Sequence, residues 1–423
     1  MKYKQLTFKE IRNFAIFGSG QFINLVTPLI IAPYVLSVCG VENWGKIGVT
    51  TSFYIILGIF IDFGSQLIGV KEISSNKNDV ANITKYLNET YAFRICIFLL
   101  LAFIISLLLL FVPNIDIQLY GLGSVSLFAQ FLNPIWYYIG KENFATINKI
   151  IFFSKGLFVL LVYVLVKEKS DYVLVVFFLG IANTFVYSYY FLRIYISNQM
   201  SVLSVSFTKL LELFRNELPI VISNLSISMY THFPIIIVKY ILGDYFAGIY
   251  KIGDLLLSLF RSYLVVFFNV SFPYVCAIFS KSQKEAFVYL KKINLFNGLI
   301  ISIIIISFYF LFWFVIPLFE IEKKLFDSLL FCTRFLFVTF IVAINIPFYQ
   351  LLLMNNQQRR IAQISFFGAL LMLLSCFYLT KYFTLSGSIY SIYLVESFIT
   401  ISMIIASWPF LNCTINNESP TSK

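Results

Sequence analysis

Apolar runs follow one another along nearly the whole chain, separated by short polar breaks. Each is long enough to cross a bilayer as a helix, which takes about 20 residues. The first two set the pattern. Phe14 to Val38 and Ile47 to Val70 flank the corner Cys39-Gly40-Val41-Glu42-Asn43-Trp44-Gly45 and read as a transmembrane hairpin. The shape returns 203 residues later, as Ile220 to Ile241, then Leu242-Gly243-Asp244-Tyr245-Phe246-Ala247-Gly248, then an apolar run to Phe279. Gly40/Gly243 and Gly45/Gly248 keep the offset, and few other identities do, so the repeat rests mainly on hydropathy. It predicts two similar halves joined near Arg193–Pro219, as in many secondary transporters.

Twelve helices are expected, at about 14–38, 47–70, 90–112, 118–139, 148–166, 172–195, 219–241, 252–279, 293–316, 327–353, 361–380 and 385–411. The fold class is therefore an all-α polytopic membrane protein of two six-helix lobes. The expected segments are a basic N-terminus (1–13), a first lobe (14–195), a linker (196–218), a second lobe (219–411) and a tail (412–423). Six helices per lobe is an even number, so both lobes enter from the same side and the repeat is parallel. Within the linker, Ser206–Leu218 spaces apolar residues helically against Lys209, Glu212, Arg215 and Glu217, which suits an amphipathic helix on the cytoplasmic surface. A plain connector is the alternative.

Composition agrees with this class. Sixty per cent of residues are hydrophobic and 12% charged, and the mean hydropathy is +0.87; a soluble domain carries about twice that charge. The net charge of +11 does not point to nucleic acid, because most basic residues fall in alternate short loops. Of 31 lysines and arginines, twenty flank the N-terminal side of the topology. Eight flank the other: Lys46, Lys167, Lys169, Lys239, Lys251, Lys323, Lys324 and Lys381. Lys155, Arg261 and Arg334 lie deeper in helices. By the positive-inside rule both termini are cytoplasmic. The first apolar run is too long for a signal-peptide core, so the first helix is expected to be retained. Six scattered cysteines support neither a disulfide framework nor zinc.

Enzyme signatures are missing. A single histidine excludes two-histidine metal motifs, and there is no G-x-x-x-x-G-K-[ST] loop. The outward loops are short for an enzyme that must hold an acceptor sugar. No cofactor and no metal are expected. What remains is polar residues inside helices, which are costly enough to need a reason. Lys251, Asp254, Ser258 and Arg261 share one face of the eighth helix, and Arg334 and Asn345 one face of the tenth. Asn224, Ser228 and His232 form a stripe on the seventh; Tyr54, Gly58, Asp62 and Gln66 run down the second; Glu396, Thr400 and Ser407 run down the twelfth. Each has a plain structural alternative. Lys251 and Asp254 suit snorkelling near the outer end of their helix, Asp62 suits a lobe-locking ion pair, Arg94 an interfacial anchor, and His232 a buried hydrogen-bonder. Arg261 and Arg334 each lie about two turns into a helix and stay charged. Their guanidinium forks suit phosphate or carboxylate oxygens. Asp62, Asp254 and Glu396 are the candidate carboxylates for ion coupling.

Three stretches carry a resemblance. Gln21-x-x-Asn24 with Pro33-Tyr34 precedes the Gly40–Gly45 corner. Asp62-Phe63-Gly64 leads to Lys71-Glu72-Ile73. Pro134-Ile135-Trp136-Tyr137-Tyr138-Ile139-Gly140-Lys141-Glu142 follows. In length, helix count, orientation and these motifs, the whole chain resembles the bacterial polysaccharide flippases (O-antigen transporters, Wzx-type) of the multidrug/oligosaccharidyl-lipid/polysaccharide exporter superfamily. It departs from the pattern at Lys71, where arginine is usual, and at Ile139, where glutamine is usual. Pro134 and Trp136 also suit a kink plus an interfacial aromatic anchor.

The resemblance implies a MATE-like, V-shaped bundle around a cationic cavity in the bacterial inner membrane. It implies transport of undecaprenyl-pyrophosphate-linked oligosaccharides from the cytoplasmic to the outer leaflet, with a polysaccharide polymerase and a chain-length regulator as possible partners. On this reading Arg261, Arg334, Lys251, Asn345, Asn24 and Asn224 are the cavity candidates, and Pro134, Trp136, Gly140, Glu142 and Lys71 carry the family motif. The alternatives are a cation/drug antiporter of the same superfamily, whose cavity would be acidic, and a membrane-embedded polysaccharide polymerase.

Overall fold

The apolar runs fold as helices, because a segment in hydrocarbon must satisfy its own backbone hydrogen bonds. A computed structural model describes residues 8–77, 79–113, 115–201, 205–279, 282–315, 330–355 and 357–416, and no strand occurs among them. The segments 1–7 and 417–423 lie outside the described residues, as does 316–329 with Lys323, Lys324 and the start of the tenth expected helix.

The first half contains α1 (Phe8–Asp62), α2 (Val70–Ser75), α3 (Val80–Phe111), α4 (Ile117–Gly123), α5 (Val125–Leu132), α6 (Ile135–Gly140), α7 (Phe144–Leu165) and α8 (Tyr172–Ser197). The second contains α10 (Asp244–Phe279), α11 (Gln283–Phe310), α12 (Leu336–Met354) and α13 (Gln358–Asn416), with α9 (Phe207–Leu242) leading into it. Breaks carry their own chemistry. Asp79, Asp116 and Asn143 cap α3, α4 and α7 by accepting from the amides of Asn82, Leu119 and Thr146.

Eight of the described helices are long and apolar enough to cross a membrane. Two of these are double. The spans Gly18–Asp62 and Gln358–Phe410 hold 45 and 53 residues, roughly 65–80 Å of helix against ~30 Å of hydrocarbon. The first bends at Gly40 (φ 82°, ψ 168°) and the second at Thr384 (φ 54°, ψ −140°). α10 is 36 residues long but carries Asp244, Lys251, Asp254 and Arg261, and α4 with α5 makes one span broken at Ser124. Counted so, the described residues hold twelve candidate crossings.

The repeat's first glycine pair does the turning. Gly40 and Gly243 both have positive φ, 82° and 90°, which a side chain disfavours. Gly45 and Gly248 lie inside helices. The corner expected over 39–45 is therefore a single-residue bend.

The chain divides into two compact units, residues 1–228 and 229–423. The division falls inside α9, beyond the expected linker. Residues 207–218 run without interruption into the seventh membrane helix, and Glu217, read as part of the linker's polar face, is 3% exposed. Unit 1 centres on Trp136, Tyr91, Ile73, Ile83 and Leu87, and unit 2 on Leu264, Ile301, Leu336 and Ile346. Large apolar side chains such as Leu110, Phe111, Phe185, Leu374 and Trp408 are exposed, as suits a perimeter solvated by lipid.

Candidate functional site

In unit 2 the polar face of α10 is held by ion pairs. Lys251 Nζ lies 2.9 Å from Asp254 Oδ2, one turn apart. Two turns further along, Arg261 Nη2 donates to Glu396 Oε1 of α13 at 2.9 Å. The Arg261 guanidinium carbon lies 5.9 Å from the ring centroid of Tyr230 on α9, a cation–π arrangement. Glu396 is nearly buried, but the Arg261 side chain keeps 24% of its surface exposed. The pair borders a cavity of about 380 Å³ whose polar lining is Tyr230, Arg261, Asn345, Tyr349 and Glu396, with Leu264, Phe268 and Ile346 among its apolar walls. Asn345 Oδ1 is buried there without a hydrogen-bond partner among the described residues. The arrangement offers a fixed cation, an open amide acceptor and two tyrosines to one polar guest.

Arg334 is not in this cavity. The sequence set Arg334 and Asn345 on one face of one continuous helix. Instead, residues 330–333 are helical, Arg334 and Phe335 form a turn, and α12 starts afresh at Leu336. The break interrupts the register that would have aligned them. Arg334 is exposed, with its guanidinium 5.4 Å from the Phe331 ring centroid, and its carbonyl accepts from the Tyr393 hydroxyl. Asn24 on α1 and Asn224 on α9 are half-buried within unit 1 and do not line the Arg261 cavity.

Unit 1 holds a second polar centre. Asp62 Oδ1 accepts from Arg94 Nη2 at 2.9 Å, and Arg94 is fully buried. The guanidinium also donates through Nη1 to the carbonyls of Asn133 (3.3 Å) and Phe131 (3.5 Å). It lies 5.4 Å from the rings of both Tyr91 and Trp136. Arg94 is thus the lobe-locking partner of Asp62 and not an interfacial anchor.

The motif stretches build this centre. After Asp62 the chain turns through Phe63 (φ 40°) and Gly64 (φ 83°) into a π-helical turn, Ser65–Gly69. A Cβ on Gly69 would stand 2.7 Å from the Trp136 ring, and one on Gly140 2.6 Å from Ile73. The Asp62-Phe63-Gly64 and Pro134–Glu142 segments therefore interlock at two glycines. Trp136 is wholly buried, which replaces the expected interfacial anchor: the indole fills the space that Gly69 leaves, and Ile73 fills the space beside Gly140. Pro134 caps α6. Glu142 (φ 56°) ion-pairs with Lys77 at 2.5 Å, and Lys141 Nζ donates to the Lys77 carbonyl at 3.1 Å. Burial and the neighbouring Lys77 ammonium hold the Lys141 amine below the ordinary lysine range. Lys71 is exposed and outside the cluster.

Two residues of this centre escaped the sequence reading. Arg94 carried a signal, an arginine in the same lobe as an intramembrane aspartate. Glu217 carried none, because its spacing matches a solvated helix face. Among the described residues no group of three His, Cys, Asp or Glu side chains could hold a metal ion.

The model of a family described as "Polysaccharide biosynthesis protein" matches residues 11–279. A Shigella dysenteriae protein named "Putative O-antigen transporter" is 21% identical over 392 residues, covering 90% of this chain and 96% of that protein. An Escherichia coli (strain K12) protein of the same name is 19% identical, covering 93% and 95%. Among solved structures, an inward-facing multidrug resistance MATE family transporter of the MOP superfamily superposes with a TM-score of 0.65 at 15% identity, covering 95% of this chain and 96% of that one. That likeness is one of fold.

Proposed function

The chain belongs to the polysaccharide biosynthesis protein family, and from that premise we propose that it flips a lipid-linked oligosaccharide across the bacterial inner membrane. It is a multi-pass membrane transporter and not an enzyme. The cargo we assign is an undecaprenyl-pyrophosphate-linked repeat unit, such as an O-antigen unit, carried from the cytoplasmic to the periplasmic leaflet by alternating access. Both termini are cytoplasmic on this reading. The polar head travels through the protein while the polyprenyl tail stays in the bilayer, which spares the tail any aqueous contact.

The observation that carries the reading is the cavity at Arg261. A guanidinium held in place by Glu396 and Tyr230, yet still partly exposed beside Asn345, suits a pyrophosphate and its first sugar. Glu396 neutralises part of that charge, so the head is held loosely enough to be released. Lys251 and the exposed Arg334, which lie toward the outer end of their helices on this topology, are candidates to meet the anion as it leaves Arg261 for the periplasmic side; Asn24 and Asn224 are candidates for sugar contacts within unit 1. Gene deletion tests the reading. Assembled repeat units should accumulate on the cytoplasmic leaflet while surface polymer disappears. Intact surface polymer with new sensitivity to cationic dyes would favour the antiporter instead. A polymerase and a chain-length regulator would act on the product at the far side.

A further inference from the structure

The three carboxylates that the sequence offers for ion coupling are each matched with a cation: Asp62 with Arg94, Asp254 with Lys251, Glu396 with Arg261. Glu217 is not. It is buried in unit 1, and its Oε1 accepts from the Tyr86 hydroxyl at 3.0 Å. Its Oε2 is buried with no hydrogen-bond partner among the described residues. That oxygen sits over Gly64, where even a Cβ would come within 3.1 Å. The side chain is fixed by packing: Leu213 and Val221 of α9 bury against Phe63 and Phe93, and Phe214 stacks on Phe63 with centroids 5.4 Å apart.

The charged groups whose fields reach Glu217 are Arg94, Asp62 and, on α2, Glu72, with Tyr86 on α3 as its hydrogen-bond donor. Arg94 is the one cation of that set, and it is committed to Asp62 and to two carbonyls. One guanidinium cannot neutralise two buried carboxylates. A second ionised acid in that setting is a buried charge without a counterion, and such a group takes up a proton instead.

We propose that Glu217 is a proton-binding site, neutral while the first turns of α9 are docked on Phe63 and Phe93 and ionised when that contact opens to water. The proton comes from water, forms an O–H bond at Oε2, and returns to water on opening. α9 continues as one helix from unit 1 into unit 2, so the proton's occupancy acts on a helix common to both. In the transport cycle proposed above this supplies a proton-coupled step, and that use of the site rests on the flippase reading.

The proton itself is measured without substrate. Infrared difference spectra of the purified full-length protein at neutral pH should contain the carbonyl stretch of a protonated carboxyl group. The band should vanish in Glu217→Gln and shift to higher frequency in Tyr86→Phe, which keeps the acid but removes its hydrogen bond. Tyr86→Phe decides the matter alone if Glu217→Gln does not fold. A wild-type spectrum lacking the band, a band unchanged in Glu217→Gln, or an unshifted band in Tyr86→Phe overturns the proposal. Any of these leaves the flippase reading untouched, because no cargo enters the measurement.

Discussion

Arg261 Nη2 and Glu396 Oε1 lie 2.9 Å apart, joining α10 to α13 across 135 positions of sequence at the edge of a polar cavity. On the proposed reading the pair has two roles that mutation can separate, holding unit 2 together and presenting a guanidinium to a guest.

Removing one partner leaves the other buried and uncompensated. Glu396 is the more enclosed of the two, so Arg261→Ala should cost about 3–5 kcal/mol in stability, less what water recovers at the exposed edge of the arginine. An Arg261→Met, Glu396→Leu double variant should recover most of that loss while remaining inactive in transport. Thermal unfolding in detergent, read beside a cellular complementation assay, checks both halves. Full transport by the double variant would show the pair to be structural only.

The Asp62–Arg94 centre should be the more sensitive to disruption. Arg94→Ala strands a buried aspartate and removes the cation beside the Tyr91 and Trp136 rings, for a loss of about 3–5 kcal/mol. Arg94→Lys keeps the charge but not the fork that reaches Asn133 and Phe131, and should lose less. The unfolding temperatures should fall in that order.

Backbone geometry gives a third test. Gly40→Ala and Gly243→Ala place a side chain at positive φ, where nothing else lies within 4 Å. Each should cost about 1–2 kcal/mol through conformation alone. Gly45→Ala should cost less than either, because Gly45 does not share that backbone conformation. Gly69→Ala should exceed all three through its collision with the Trp136 ring.

The lysine and arginine distribution predicts cytoplasmic termini. A reporter active only in the periplasm, fused after Lys423, should stay silent, and the same reporter inserted after Gly243 should be active. Activity at Lys423 would contradict the cytoplasmic C-terminus.

Much of the fold was legible because hydropathy records it directly. Runs such as Ile220–Ile241 can be little else than membrane helices, and Gly40 and Gly243 marked their bends because glycine alone adopts that backbone easily. The sites were harder to read. Pairing of Asp62 with Arg94 joins residues 32 apart on different helices, and no periodicity within one helix reveals it. Arg334 was misaligned with Asn345 because the turn at Arg334–Phe335 leaves no proline or glycine signature. Trp136 looked like an interfacial anchor because sequence gives no sign that Gly69 leaves room for an indole. Glu217 was hidden for the opposite reason, since a burying neighbour such as Tyr86 lies 131 positions away.

The central claim is that this chain moves a lipid-linked anionic head past Arg261. The direct measurement is flipping of an undecaprenyl-pyrophosphate-linked oligosaccharide by the purified protein in liposomes, read as the fraction of head groups that an impermeant reagent can reach. Wild type should bring the inner-leaflet pool to the surface, Arg261→Lys should do so more slowly, and Arg261→Glu should leave it protected. Equal rates in wild type and a folded Arg261→Glu, or no movement of the head group in wild type, would contradict the account.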